Sequence, residues 1–343
     1  MSLSSFIVEN EKTFQGACNV KYLFMPAATK SNHLIVSFSG FNGEEATGKL
    51  PHYNYVKHLK PFDCHRLFII DDYQNGTPCY YLGNHQKLDY EVSVASLIFS
   101  FINTYRIKKS NVITCGSSKG GTAAFYFGIK YNFGHVIAGG FQFAVADYLY
   151  DVSKYTRNVV LPSITSGNTE AHKEYLNNIY YDLVKYARFN TKLNLHIGTG
   201  DHHYDTHLKP FTNILDERNI PYNLDVQDYS DHSKIGAYFA NFLIEQVSRI
   251  TDSLIINSVA ISNHEGKGLL VSCNVPEFFS NNKHIQYACY LFKDGVKEPL
   301  ERAKYSRNKN FEFNITTPGN YNARVFVRKG DILTTKRTLT LSL

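Results

Sequence analysis

Short apolar runs alternate with longer stretches of helical spacing from the N-terminus to about residue 250. Ser5–Val8, Val20–Met25, Leu34–Phe38, Arg66–Ile70, Asn111–Cys115, His135–Gly139, Leu193–Ile197 and Tyr222–Val226 read as strands, because branched and aromatic residues are bounded by turn formers. Apolar residues at i, i+3 and i+4 predict helices at about Tyr90–Tyr105, Lys119–Tyr131, Glu170–Arg188, Thr206–Glu217 and Ser233–Ile250. A parallel strand pair needs a long crossover, and a helix is the usual one. The alternation therefore predicts an α/β architecture with a doubly wound, mainly parallel sheet.

Beyond about residue 253 the pattern changes. Ile255–Ser262, Gly268–Val275, Ile285–Phe292, Phe311–Thr316, Tyr321–Arg328 and Lys336–Leu343 are short runs separated by Asn, Gly, Lys and Pro, with no helical stretch between them. They predict an immunoglobulin-like β-sandwich. The expected organisation is an α/β domain over residues 1–252 and an accessory β-domain over 253–343. A Tyr- and Asn-rich insertion at about 143–190 is placed either like a lid or as a plain helical excursion.

The run Val112-Ile113-Thr114-Cys115 leads directly into Gly116-Ser117-Ser118-Lys119-Gly120-Gly121, a G-x-S-x-G pattern between a strand and a helix. That order is how an α/β-hydrolase holds a serine nucleophile on a tight turn, with glycines where a side chain would strike the strand or the helix. The nucleophile would be Ser118, and Ser117 would point elsewhere on the turn. The alternative is a Gly-Ser loop cradling phosphate, although no G-x-x-x-x-G-K-[ST] or G-x-G-x-x-G stands here.

A serine hydroxyl needs a histidine to take its proton and a carboxylate to fix that histidine's tautomer, in the chain order Ser, acid, His. Asp201 follows the Gly198-Thr199-Gly200 turn at the end of one predicted strand and is the expected acid, with Asp205 in reserve. His232 follows the next strand and is the expected base, in competition with His202, His203 and His207. Those three could also form a metal cluster. No metal is expected, however, because adjacent side chains point apart and no cysteine or second acid completes a ligand set. For the oxyanion, the donors would be the amide of Lys119 and that of Gly40 or Phe41, in the turn Ser39-Gly40-Phe41-Asn42-Gly43.

Composition narrows the setting. The chain has 343 residues and a formal net charge of +6, with lysine and arginine dispersed, so no nucleic-acid partner is expected. Aromatics make up 14%, with 25 Tyr, 24 Phe and no Trp, so rings fill much of the core. Cys18, Cys64, Cys79, Cys115, Cys273 and Cys289 are scattered without a C-x-x-C pair and read as reduced thiols. With no basic-then-apolar leader and no run near the length of a membrane span, the expectation is a cytoplasmic protein.

At Gly116-Ser-Ser-Lys-Gly-Gly121, Ile197-Gly-Thr-Gly-Asp201 and Tyr229-Ser-Asp-His232 the chain resembles α/β-hydrolases of bacterial surface-glycan gene clusters. These are the capsular polysaccharide O-acetyltransferases and the glycan acetyltransferase of the accessory secretion system. The resemblance covers about residues 1–250. It implies a serine acyl-enzyme that passes an acetyl group from acetyl-CoA to a sugar hydroxyl, with the triad on Ser118, Asp201 and His232. It also implies a polysaccharide or glycan acceptor, and work at the inner face of the membrane beside a capsule or secretion complex. The residues leave open an esterase or deacetylase with the same triad, and a catalytically inactive binding protein of a glycan or secretion assembly.

Overall fold

In the structure, a computed structural model describing residues 3–41, 51–73, 76–264, 268–315 and 317–343, two units divide the chain at Gln246 and Val247. The first holds an eight-stranded sheet among the described residues. Its strands are β1 (Lys12–Gln15), β2 (Asn19–Met25), β3 (Leu34–Phe38), β4 (His65–Ile69), β5 (Val112–Ser117), β6 (His135–Gly139), β7 (Lys192–Gly198) and β8 (Tyr222–Gln227). They run in the order β1-β2-β4-β3-β5-β6-β7-β8. Only β1 with β2 and β2 with β4 pair antiparallel; the remaining neighbours are parallel. The central strands β3, β4 and β5 are buried along their whole length, as a parallel sheet covered on both faces requires.

Helix Lys119–Lys130 follows β5 directly and is buried from Lys119 to Ile129, between the sheet and a further layer of helices. That outer layer is the 143–190 segment. It contains helices Val145–Val152, Leu161–Thr165 and Glu170–Tyr186, whose Leu149, Leu161, Leu176, Tyr180 and Val184 join the same apolar core as the strands. The predicted strand Ser5–Val8 is instead part of helix Leu3–Asn10, where the Asn10 side chain donates to the Phe6 carbonyl and Val8 points out at 82% exposure. Four residues do not distinguish a period of 2 from one of 3.6. The edge strand β1 is polar and was invisible to a hydrophobic pattern.

The second unit holds two antiparallel sheets over one apolar core. Its strands are β9 (Ser258–His264), β10 (Gly268–Asn274), β11 (Ile285–Lys293), β12 (Glu301–Ser306), β13 (Asn310–Phe313), β14 (Asn320–Lys329), β15 (Ile332–Arg337) and β16 (Leu341–Ser342). One sheet runs β13-β10-β9 and the other β12-β11-β14-β15, with β16 on β14. Thr316, at the end of a predicted run, lies outside the described residues. Strand β12 was missed because Glu301-Arg-Ala-Lys-Tyr-Ser306 is charged. No disulfide joins the six cysteines. No helix among the described residues is long and apolar enough to cross a membrane.

Candidate active site

Strand β5 ends at Ser117, and the helix begins at Lys119, so Ser118 alone makes the turn. It does so at φ 52° and ψ −129°, a backbone region that side chains rarely occupy. Close approach fixes the neighbouring glycines: a Cβ on Gly116 would lie 2.5 Å from the backbone of Gly120, and one on Gly120 would lie 2.4 Å from the Phe38 carbonyl oxygen. The strained turn lifts the Ser118 hydroxyl off the carboxyl edge of the sheet. Ser117 does point away, but into a partner: its buried hydroxyl lies 2.5 Å from that of Tyr55.

His232 Nε2 stands 3.1 Å from Ser118 Oγ, and His232 Nδ1 stands 2.8 Å from Asp201 Oδ2. Asp201 has a fully buried side chain, and its other oxygen accepts the His203 backbone N–H at 3.0 Å. The carboxylate therefore keeps Nδ1 as the protonated nitrogen of His232 and leaves Nε2 as the acceptor facing the serine. Asp205 lies apart on the surface, paired with Lys209. Gly140, at φ +45°, backs the row; a Cβ there would meet His232 Cε1 at 3.1 Å and Asp201 Oδ2 at 3.4 Å.

The competing histidines occupy other positions. His203 Nδ1 lies 2.8 Å from His232 Nδ1, on the side of the ring away from Ser118. Since His232 Nδ1 carries a proton toward Asp201, His203 Nδ1 must present its lone pair, and the proton sits on Nε2, which has no partner among the described residues. Burial, with the nearby histidines adding, depresses the basicity of His203. His202 is largely exposed. His207 accepts the Ala144 N–H, and burial lowers its pKa to about 4. Among the described residues, Asp201, His203 and His232 bring ligand-type atoms within 4.8 Å of one another, a group that could hold a metal ion.

These neutral histidines give a pH dependence. The unfolded chain binds protons on them below a pKa of about 6.5, whereas the native state does not until pH falls toward the depressed folded values, so stability present above that range is lost on acidification. The thermal midpoint should fall between about pH 7 and about pH 5, and His207→Gln should flatten that fall.

Three contacts around the elbow carried no signal in the sequence. Gln142, fully buried, donates from Nε2 to Ser118 Oγ at 3.0 Å and is held by Thr122. The Lys119 ammonium, fully buried, pairs with Asp71 at 2.8 Å, and Asp71 also accepts from the Cys79 and Tyr80 amides. The Gly40 amide donates to Asn54 Oδ1 at 2.7 Å, so the Phe41 amide is the one of that expected pair not claimed by Asn54. Asn42 and Gly43 lie outside the described residues. The Lys119 amide, at the first helical position, has no carbonyl to bond within its helix.

Asp71→Asn leaves a buried ammonium without its counter-charge and should cost about 3–5 kcal/mol of unfolding free energy, read from denaturant titration.

A cavity of about 490 Å³ opens beside His202 and His207, lined also by Asp147, Tyr148 and Asp151. No protein-family model matches the chain, and no curated protein matches it by sequence. Among solved structures it is similar to the capsule O-acetyltransferase of Neisseria meningitidis serogroup A, at 20% identity over 68% of this chain and 94% of that one, with a TM-score of 0.54. The strand order, the serine elbow and this likeness agree. The fold is that of the α/β-hydrolases. Two more structural neighbours are the Glycosylation Associate Protein (Gap123) complex from Streptococcus agalactiae and an S-formylglutathione hydrolase from Staphylococcus aureus. The first is 19% identical over 70% of this chain and 46% of that one (TM-score 0.57); the second is 14% identical over 70% and 97% (TM-score 0.52). A variant of the meningococcal enzyme was solved with CoA.

Proposed function

We propose that this protein is a serine acyltransferase that moves an acetyl group from acetyl-CoA to a hydroxyl of a bacterial surface polysaccharide or glycan. The observation that carries the reading is the continuous hydrogen-bonded row from Ser118 Oγ through His232 to Asp201. In it Ser118 attacks the thioester carbonyl while His232 Nε2 takes its proton, and the carbonyl oxygen becomes an oxyanion facing the Lys119 and Phe41 amides. Collapse breaks the carbon–sulfur bond, His232 returns the proton to the departing thiolate, and acetyl-Ser118 remains. The acceptor hydroxyl then gives its proton to His232 and attacks the ester. Breaking the Ser118 ester bond and returning the proton to Ser118 Oγ restores the enzyme.

Donor and acceptor are inferred from one structural neighbour, the meningococcal capsule O-acetyltransferase, a variant of which was solved with CoA. The cavity beside His202 offers the carboxylates of Asp147 and Asp151 as hydrogen-bond acceptors for the hydroxyls of an acceptor.

Gln142 supports Ser118 as it becomes an alkoxide. Gln142→Leu should lower kcat by about 10- to 100-fold at unchanged fold, the effect of losing one charge-assisted bond of about 1.5–3 kcal/mol.

A second reading, hydrolysis, uses the same row, and a neighbour that is an S-formylglutathione hydrolase fits it equally well. Incubation with acetyl-CoA and a panel of capsule-type oligosaccharides separates the two by mass spectrometry. An acetylated oligosaccharide supports transfer, whereas free acetate with no acetylated product assigns the esterase.

A further inference from the structure

We infer that the outward face of the β12-β11-β14-β15 sheet binds an acidic polysaccharide, a chain bearing carboxylates, through a row of arginines set on aromatic rings. Along β14, Arg324, Phe326 and Arg328 alternate with Val325 and Val327, which belong to the sandwich core. The first three therefore share the opposite, outward face. Register sets Arg302 opposite Tyr290, Tyr290 opposite Arg324, and Arg324 opposite Arg337, which makes one line across four strands.

Each guanidinium lies near a ring. Arg302 is 5.4 Å from the centroid of Tyr290, Arg324 is 5.2 Å from Phe326, Arg328 is 3.9 Å from Tyr305, and Arg337 is 4.9 Å from Phe292. Such stacking orders the planar fork in advance and leaves N–H groups at its edge for an oxyanion.

Charge complementarity selects the ligand. Arg324 and Arg337 face each other directly, an apposition of like charges that destabilises a sheet. Among the described residues the one ion pair made by these four arginines is Arg302 with Glu298, at 3.0 Å, on an 82% exposed glutamate. Among the described residues, Arg324 and Arg328 hydrogen-bond to the neutral Thr335 and Gln286. A polyanion laid along the row would relieve the repulsion and accept two-point hydrogen bonds from the forks. Single-stranded nucleic acid is the weaker fit, because it needs ring faces as platforms for its bases and here guanidinium groups cover rings.

The test is titration of the full-length protein with polysialic acid, neutral dextran and an oligothymidylate, each at low and high salt. Binding of polysialic acid that weakens with salt, no binding of dextran, and a loss of about tenfold or more in affinity for R324Q/R337Q are expected. Arg337 lies on the exposed strand β15, so R337Q alone serves if the double variant misfolds; it should weaken binding by a smaller factor. Oligothymidylate binding as tight as polysialic acid, salt-independent binding, or unchanged affinity in folded variants would overturn the inference. No acyl donor is present in this titration, so binding is read apart from acetyl transfer. Failed acetyl transfer with intact binding therefore counts against the proposed function alone.

Discussion

Ser118→Ala should reduce turnover by about 10⁴-fold or more, with circular dichroism and thermal midpoint unchanged. The expectation rests on the hydroxyl being the only nucleophile in the row: its oxygen is met by His232 Nε2 at 3.1 Å and by Gln142 Nε2 at 3.0 Å, and alanine keeps both partners but removes the attacking atom. Any residual rate would come from the oxyanion donors and bound substrate acting on water. The check is the steady-state rate with acetyl-CoA, followed by thiol release, in the variant and the unaltered protein. A rate near that of the unaltered protein would remove Ser118 from the chemistry.

Asp201→Asn should be almost as severe, at about 10⁴-fold in kcat, although it changes one atom. The reason lies in the partners of the carboxylate. Asp201 Oδ1 accepts the His203 backbone N–H at 3.0 Å, and Oδ2 faces His232 Nδ1 at 2.8 Å. An asparagine must turn its carbonyl oxygen toward the backbone donor, which aims its NH₂ group at His232 Nδ1. His232 would then carry its proton on Nε2 and could no longer accept one from Ser118. The same change at Asp205, 74% exposed and paired with Lys209, should leave the rate within about twofold, as surface charges away from a site usually do. Parallel kinetics on the two variants decide the acid, and the reverse ranking would transfer the role to Asp205.

How much was legible in the sequence follows the range of each constraint. The serine elbow is local: Gly116, Ser118 and Gly120 are spaced by the geometry of one strand-to-helix turn, so the pattern and its surroundings could be read together. Asp201 and His232 were readable as polar residues just after predicted strands, where parallel sheets present their sites. Gln142 was not, because its approach to Ser118 depends on how the turn after β6 lies beside the helix. The Tyr55–Ser117 and Asp71–Lys119 contacts join residues far apart in sequence, and no period or motif announces them. Lysine and arginine are dispersed along the sequence, with no basic stripe, yet strand register gathers Arg302, Arg324 and Arg337 into a line. Alternation along Arg324, Phe326 and Arg328 was visible; the cross-strand partners were not.

Labelling with a fluorophosphonate followed by peptide mapping tests the Ser118–His232–Asp201 row most directly, because the reagent reports an activated serine whatever the acceptor. The row predicts a single adduct on Ser118 that disappears in His232→Ala. A folded protein that takes up no label, or one labelled at another serine with Ser118 intact, would contradict it.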